Sequence, residues 1–278
     1  MTLLYHSSTN LIAKIFSYTF HIQPLTLKGY YELLQSFITW ISDKLRKSES
    51  NFDCYLRNGI VVRSWDDFLF YARPRTSDLY AICCEEVYEL ENWFKPHAEG
   101  VVVNVGAYVG TYTVRAMHTA DLVIAIEPLP INYKTLQINI KLNSRKRRAD
   151  VITINKAVAE AKGKVHIFLP VESKCIGMEI ARLESASKHN FNLNVEINTL
   201  DNMLNELGIE RIDLMKIDIE GYVFKAFPGM IEGLKKTKWL IVELWKQDLP
   251  VIHMLKQLGF RLIDYHNANF LFYNERYK

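Results

Sequence analysis

Hydrophobic and polar positions follow two different rhythms along the chain, with the change near residue 85. In the first stretch, Leu27, Tyr30, Tyr31, Leu34, Phe37, Ile38, Ile41 and Leu45 recur at steps of three and four. That spacing predicts one amphipathic helix with a single apolar stripe. The stripe is expected to pack against the core; a dimer face or a substrate lid would use the same spacing. Lys44 to Ser50 is polar and reads as a linker. Cys54–Leu56 and Ile60–Val62 flank Asn58-Gly59, which predicts a hairpin turn. A helix is expected over 85–94, ended by Pro96 and Gly100.

From residue 101 the pattern becomes strand, helix, strand, helix. Apolar runs predict strands at 101–105, 122–126, 151–154, 212–218, 239–244, 260–264 and 269–273. Helices are expected at 110–119, 130–143, 222–234 and 249–258. Such alternation builds a mostly parallel sheet covered on both faces. The last two runs are joined by a turn short enough for a hairpin, so the final strand is expected to be antiparallel to its predecessor. Residues 157–198 break the rhythm, with extra strands expected at 164–169 and 194–197. The architecture predicted is therefore an α/β core over 85–278 with an N-terminal helical and β extension over 1–84.

Composition narrows the picture only slightly. The net charge of +3 does not by itself call for nucleic acid. No stretch offers about 20 uninterrupted apolar residues for a membrane span, and no secretory signal is evident. Cys54, Cys83, Cys84 and Cys175 lack metal-site spacing. They are expected to be free thiols of a soluble, cytoplasmic protein.

The chemistry concentrates at three predicted strand ends. Val101-Val-Val-Asn-Val-Gly-Ala-Tyr-Val-Gly110 is an apolar run ending in a glycine turn. Glu127 ends the next run, 21 residues after Gly106, where an acid can accept hydrogen bonds from ribose hydroxyls. A dinucleotide site would need G-x-G-x-x-G. Here the spacing is Gly106-x-x-x-Gly110 with Tyr108 between, which suits a nucleoside ligand without a pyrophosphate, such as S-adenosylmethionine. An ordinary tight turn would look the same. The third end is Lys216-Ile-Asp-Ile-Glu-Gly221. Alternation puts Lys216, Asp218 and Glu220 on one side, and charges inside a central strand are costly unless paired or used. A Lys216–Asp218 ion pair with Glu220 capping the next helix is the purely structural alternative. Glu243 is a further carboxylate at a strand end; no metal is expected. The scattered histidines, among them His266, are expected to be surface or packing residues.

Asn104-Val-Gly-Ala-Tyr-Val-Gly110, Glu127-Pro-x-Pro-x-Asn132, Asn139-x-x-x-Asn143, Asn155-x-Ala157, Thr199-Leu-Asp201 and Lys216-Ile-Asp-Ile-Glu-Gly221 occur in order over about residues 85–245. Together they resemble the FkbM family. The resemblance implies a class I, Rossmann-like, S-adenosylmethionine-dependent methyltransferase that methylates a hydroxyl oxygen of a small molecule or sugar. Gly106, Tyr108 and Gly110 would line the methionine end of the cofactor. Glu127 and Pro128 would lie at the ribose, and Asn155 and Ala157 near adenine. Asp218 and Glu220 would lie where cofactor meets substrate, with Asp218 the first candidate base and Glu220 the second. The family pattern has Asp where this chain has Asn104. Losing that charge is expected to weaken cofactor binding, and a non-catalytic binding protein with this fold is one alternative. A nucleic-acid methyltransferase is another, although nucleic acid is not the expected substrate. A homo-oligomer is compatible with the stripe on the first helix.

Overall fold

The computed structural model describes residues 22–45, 52–83, 87–170 and 190–277. Contacts divide the chain into two compact units that change over between Val87 and Tyr88.

In the first unit, β1 (Ile22–Pro24) leads into α1 (Leu27–Leu45). Strands β2 (Ile60–Ser64) and β3 (Leu69–Ala72) form an antiparallel hairpin, and β1 pairs with the other edge of β2. The short helix α2 (Asp78–Cys83) closes the unit. Two expectations fail here. Residues 52–55 form a 3-10 turn rather than a strand, so the hairpin lies one segment later than Asn58-Gly59 suggested. The physical reason is Glu32 on α1. Its carboxylate accepts the Arg57 and Asn58 backbone N–H groups at 2.6 and 3.0 Å and the Asn58 side chain at 2.8 Å. Those donors are therefore unavailable to a ladder. Burial pushes Glu32 upward, but these hydrogen bonds outweigh it and hold its carboxyl below the ordinary value.

The second failure concerns the direction α1 faces. Its buried residues are Gly29, Glu32, Ser36 and Trp40, while Leu27, Tyr30, Tyr31, Leu34, Ile38 and Leu45 are exposed. The apolar stripe thus points away from the core, because a glycine, a hydrogen-bonded carboxylate, a serine bonded to the Tyr55 carbonyl and one tryptophan fill the inner face. The cysteines also depart from expectation. Cys83 is free and buried, but Cys54 is disulfide-bonded. A structural disulfide is rare in a reducing compartment, so the cysteines give the cytoplasmic expectation no support. Among the described residues no helix is long and apolar enough to cross a membrane. Cys84, Cys175 and the linker residues 46–50 lie outside the described residues.

The second unit opens with one helical turn, α3 (Val87–Glu89), which widens into a π turn over Leu90–Phe94. The sheet strands then follow as β4 (Val101–Val105), α4 (Thr111–Ala116), β5 (Leu122–Ile126), α5 (Pro130–Leu142) and β6 (Asp150–Ile154). After β7 (Ala157–Val158), β8 (Gly163–Pro170) and β9 (Asn190–Asn198) come α6 (Leu200–Glu206), β10 (Ile212–Ile217), α7 (Val223–Ala226), α8 (Ile231–Lys235), β11 (Thr237–Glu243), α9 (Pro250–Leu258), β12 (Phe260–His266) and β13 (Asn269–Asn274). Seven strands make the main sheet in the order β12-β13-β11-β10-β4-β5-β6. All neighbours are parallel except β13, which runs antiparallel to both β11 and β12. The antiparallel ending follows the expectation, and the final strand inserts between its predecessor and β11. The single helix expected over 222–234 is broken into α7, a 3-10 turn at Phe227–Gly229, and α8. Pro228 denies the helix a backbone donor, which accounts for the break. Strands β7, β8 and β9 form a separate small sheet. These strands are longer than expected, and the loop between β8 and β9 lies outside the described residues.

Both faces of the main sheet are apolar and covered. Val103, Val105, Met215, Ile217 and Val242 pack with Leu200, Val223 and Leu255 from α6, α7 and α9. Val102, Val123, Leu214, Ile241 and Leu271 pack with Leu90, Trp93, Phe94 and Tyr112 on the opposite face. Strand order reverses at β4, whose neighbours β5 and β10 are reached in opposite directions. In an open α/β sheet that switch point is where a crevice opens beyond the carboxyl ends of the strands.

Candidate active site

The loops after β4 and β10 meet at the switch point. Gly106 has φ +81°, and a Cβ there would lie 1.7 Å from the Asp218 carbonyl oxygen. Only glycine fits. The close approach needed at this position is therefore between two strand-end loops, in addition to any ligand. Asp218 N donates to the Val105 carbonyl at 2.9 Å, tying the same loops together. Gly110 (φ +94°) caps α4, and Tyr108 sits in the left-handed region at φ +51°. Tyr108 can hold that conformation because its backbone N–H donates to Glu127 Oε2 at 2.8 Å.

Glu127 is buried, and its carboxylate is held by three donors: Tyr108 N–H, Leu129 N–H at 3.0 Å and Asn132 Nδ2 at 3.2 Å. Asn155 spends its amide hydrogens on the carbonyls of Glu127 and Pro128, at 2.8 and 3.0 Å. Its side chain is thus a clamp on the loop that carries Glu127. Ala157 is buried in β7, paired with Ile197, and forms part of the apolar wall with Leu129. The other asparagines of the motif series also hold backbone. Asn139 donates to the Val109 carbonyl and Asn143 to that of Asn139, each at 2.8 Å. Asp201 accepts from the N–H groups of Glu232 and Gly233.

Asn104 is buried beside Lys216, its register partner on the neighbouring strand. Its Nδ2 donates to Thr113 Oγ1 at 3.0 Å, and its Oδ1 is buried with no hydrogen-bond partner. An unsatisfied buried acceptor is costly, and a donor brought by a ligand would relieve it.

The carboxylates converge. Asp218, Glu220 and Glu243 each offer an oxygen within 4.8 Å of the others. Glu220 lies past the strand in a turn at φ +52° and does not cap α7, whose N-cap is Tyr222. Lys216 is buried, with Nζ 2.9 Å from Asn269 Oδ1, 3.4 Å from Asp218 Oδ2 and 5.3 Å from the centre of the Tyr112 ring. The Lys216–Asp218 pair foreseen as a structural alternative is therefore present, but inside a carboxylate cluster. Burial pushes the Glu243 carboxyl up to about 8, and the adjacent Asp218 charge adds to this. The Lys216 ammonium and a hydrogen bond from Trp245 Nε1 (2.9 Å) oppose the rise. The Glu243 carboxyl thus holds its proton more tightly than an ordinary carboxyl does, beside the Asp218 carboxylate within 4.8 Å.

Sequence reasoning undervalued Glu243, Trp245 and Lys216 as parts of this cluster. Glu243 ends an apolar strand as Glu127 does, and that shared position was the available signal. His266 is a packing residue, as expected, with its ring against that of Tyr88, and its Nδ1 lies 2.8 Å from Oε1 of the buried Glu89. Nothing in the sequence linked positions 89 and 266.

A mostly parallel sheet with one late antiparallel strand, and acids at the carboxyl edges around its switch point, defines a class I methyltransferase fold. The methyltransferase FkbM domain matches residues 104–262, and the chain belongs to that family. The methyltransferase sdnD of Sordaria araneosa is 24% identical over 173 residues, 52% of this chain and 66% of that protein, just under two thirds of its length. Among solved structures, M. jannaschii TYW2 in complex with AdoMet covers 77% of this chain and 83% of its own, with TM-score 0.38 and 16% identity. M. capricolum TrmK in complex with S-adenosylhomocysteine covers 67% and 70%, with TM-score 0.40 and 9% identity. Likenesses this distant carry no argument about substrate.

Proposed function

We propose that this site transfers a methyl group to a hydroxyl oxygen of a small molecule or sugar, with Asp218 accepting the hydroxyl proton. The observation behind the proposal is the convergence of Asp218, Glu220 and Glu243 within 4.8 Å of one another at the switch point, with Lys216 Nζ 3.4 Å from Asp218 and the Glu243 carboxyl raised by burial. A base beside a neighbour that itself titrates near the working pH can receive and pass on a proton. Glu220 completes the rim. Lys216, 3.4 Å from Asp218, offsets part of the cluster's negative charge.

The residues present suit the cofactor. Glu127 is fixed by three donors before any ligand arrives, so its acceptor capacity toward ribose hydroxyls is pre-oriented. The Gly106–Gly110 turn would line the methionine end, Pro128 the ribose, and the segment Asn155–Ala157 the adenine side. Asn104 Oδ1 offers an acceptor without a partner. When bound, S-adenosylmethionine supplies an electrophilic methyl group. The chain's own contribution is to hold the acceptor oxygen in line, exclude water and take the proton at an Asp218 carboxylate oxygen.

The test is methyl transfer from labelled S-adenosylmethionine to a panel of hydroxylated metabolites and sugars, by wild type and Asp218→Asn. Labelled O-methyl product with wild type, lost in the variant, supports the reading. Product only with amine acceptors or nucleic acid would overturn it.

A further inference from the structure

The outward stripe of α1 contains a regular seam, with Tyr30 and Phe37 beside it. Leu27, Tyr31, Leu34, Ile38, Ile41 and Leu45 are spaced 4-3-4-3-4, the strict seven-residue repeat of a helix–helix seam. Here the inner arc is already committed to Gly29, Glu32, Ser36 and Trp40. Most of the seam is open: Leu27 is 90% exposed, Tyr31 63%, Leu34 and Ile38 55% each, and Leu45 81%, with Ile41 half-buried.

We infer that α1 pairs with α1 of a second copy of this chain, forming a two-fold, coiled-coil-like dimer. Three observations favour that occupant. First, the 3.5-residue period of the seam matches that of a like helix, and a two-fold pairing of identical seams closes without leaving a further sticky face. Second, the helix is about 28 Å long, and the exposed seam offers on the order of 700 Å² per copy. Two copies approach the ~1,600 Å² of a standard stable interface, and the strip exceeds what monomers ordinarily leave bare. Third, the positions flanking the seam are Lys28, Tyr30, Gln35, Phe37, Ser42 and Lys44. They lack the dense basic border that draws a helix to an anionic membrane.

The test uses the full-length protein in sedimentation equilibrium and light scattering at micromolar concentration. Wild type should show about twice the chain mass of 32.4 kDa. Leu34→Lys combined with Ile38→Lys puts charges in mid-seam without touching the buried face. It should raise the dimer dissociation constant about 100-fold or more, with an unchanged far-ultraviolet circular dichroism spectrum. The conservative pair Leu34→Ile with Ile38→Leu should keep the dimer and shows that the lysine effect is not misfolding. A monomeric wild type, or a lysine variant that stays dimeric, would overturn the inference. A monomer that floats with phosphatidylserine vesicles through this stripe would assign it to a lipid surface instead. A monomer that neither dimerises nor floats would mean that the chain's own residues cover it.

Discussion

The carboxylates of Glu243, at the end of β11, and Asp218, just beyond the end of β10, lie within 4.8 Å of each other. Two acids in contact cannot both ionise cheaply, so one retains its proton. Burial and the neighbouring charge select Glu243, whose carboxyl is raised to about 8.

If Asp218 accepts the hydroxyl proton, Asp218→Asn should reduce kcat by about 10²–10⁴-fold. The affinity for S-adenosylmethionine should change much less. Steady-state turnover beside calorimetric titration separates the two effects. Activity within tenfold of wild type would move the base to Glu220 or elsewhere.

Glu243 makes both activity and stability depend on pH. Turnover is expected to rise through about pH 8 as the Glu243 proton leaves and the pair gains basicity. Stability runs the other way. The folded pKa lies above the ordinary carboxyl value of 4.5, so the folded state holds more protons between the two values. Stability therefore falls as pH rises from about 4.5 to 8. Glu243→Gln mimics the neutral acid. It should flatten both profiles and stabilise the protein at pH 8 by about 2–4 kcal/mol. Thermal melts of both proteins across that range are the measurement, and parallel curves would refute the assignment.

Lys216 and Trp245 both pull Glu243 down toward ionisation. Removing either should move the activity midpoint upward. Lys216→Met should move it further than Trp245→Phe, because a buried ammonium outweighs one neutral hydrogen bond. The pH–rate midpoints of the two variants check the order, and a downward shift in either would be inconsistent with the cluster as described.

Asn104 leaves an acceptor unsatisfied where the family pattern has an acid. Asn104→Asp should tighten S-adenosylmethionine binding by about fivefold if the cofactor ammonium lies there, since a charge-assisted bond is worth roughly 1 kcal/mol more than a neutral one. Titration of wild type and variant decides it, and equal or weaker binding by Asn104→Asp would place the ammonium elsewhere.

The main sheet was legible because its apolar runs are long, buried and punctuated by glycine and proline. All seven strands, and the antiparallel direction of the last, follow from that pattern. The N-terminal unit was not. Glu32 captures the donors of Arg57 and Asn58, a tertiary event that no local propensity records. The outward stripe of α1 misled for a related reason: a polar inner face satisfied by hydrogen bonds reads, in sequence, as a solvent face. At the site, Gly106, Glu127 and Asp218 were visible as strand-end residues. The partnership of Asp218 with Glu243 was not, because it depends on strands separated by a crossover. The backbone-clamping roles of Asn155 and Asn139, which hold the carbonyls of Glu127, Pro128 and Val109, were not legible from their motif positions.

The central claim is that the crevice at the β4 switch point binds S-adenosylmethionine through Glu127. Isothermal titration with S-adenosylmethionine and S-adenosylhomocysteine, using wild type and Glu127→Gln, tests it most directly. Saturable binding by wild type is expected. In a Glu127→Gln variant with an unchanged circular dichroism spectrum, binding should weaken at least tenfold, the loss of about one charge-assisted hydrogen bond. Absence of binding by well-folded wild type, or equal binding by the variant, would contradict the account.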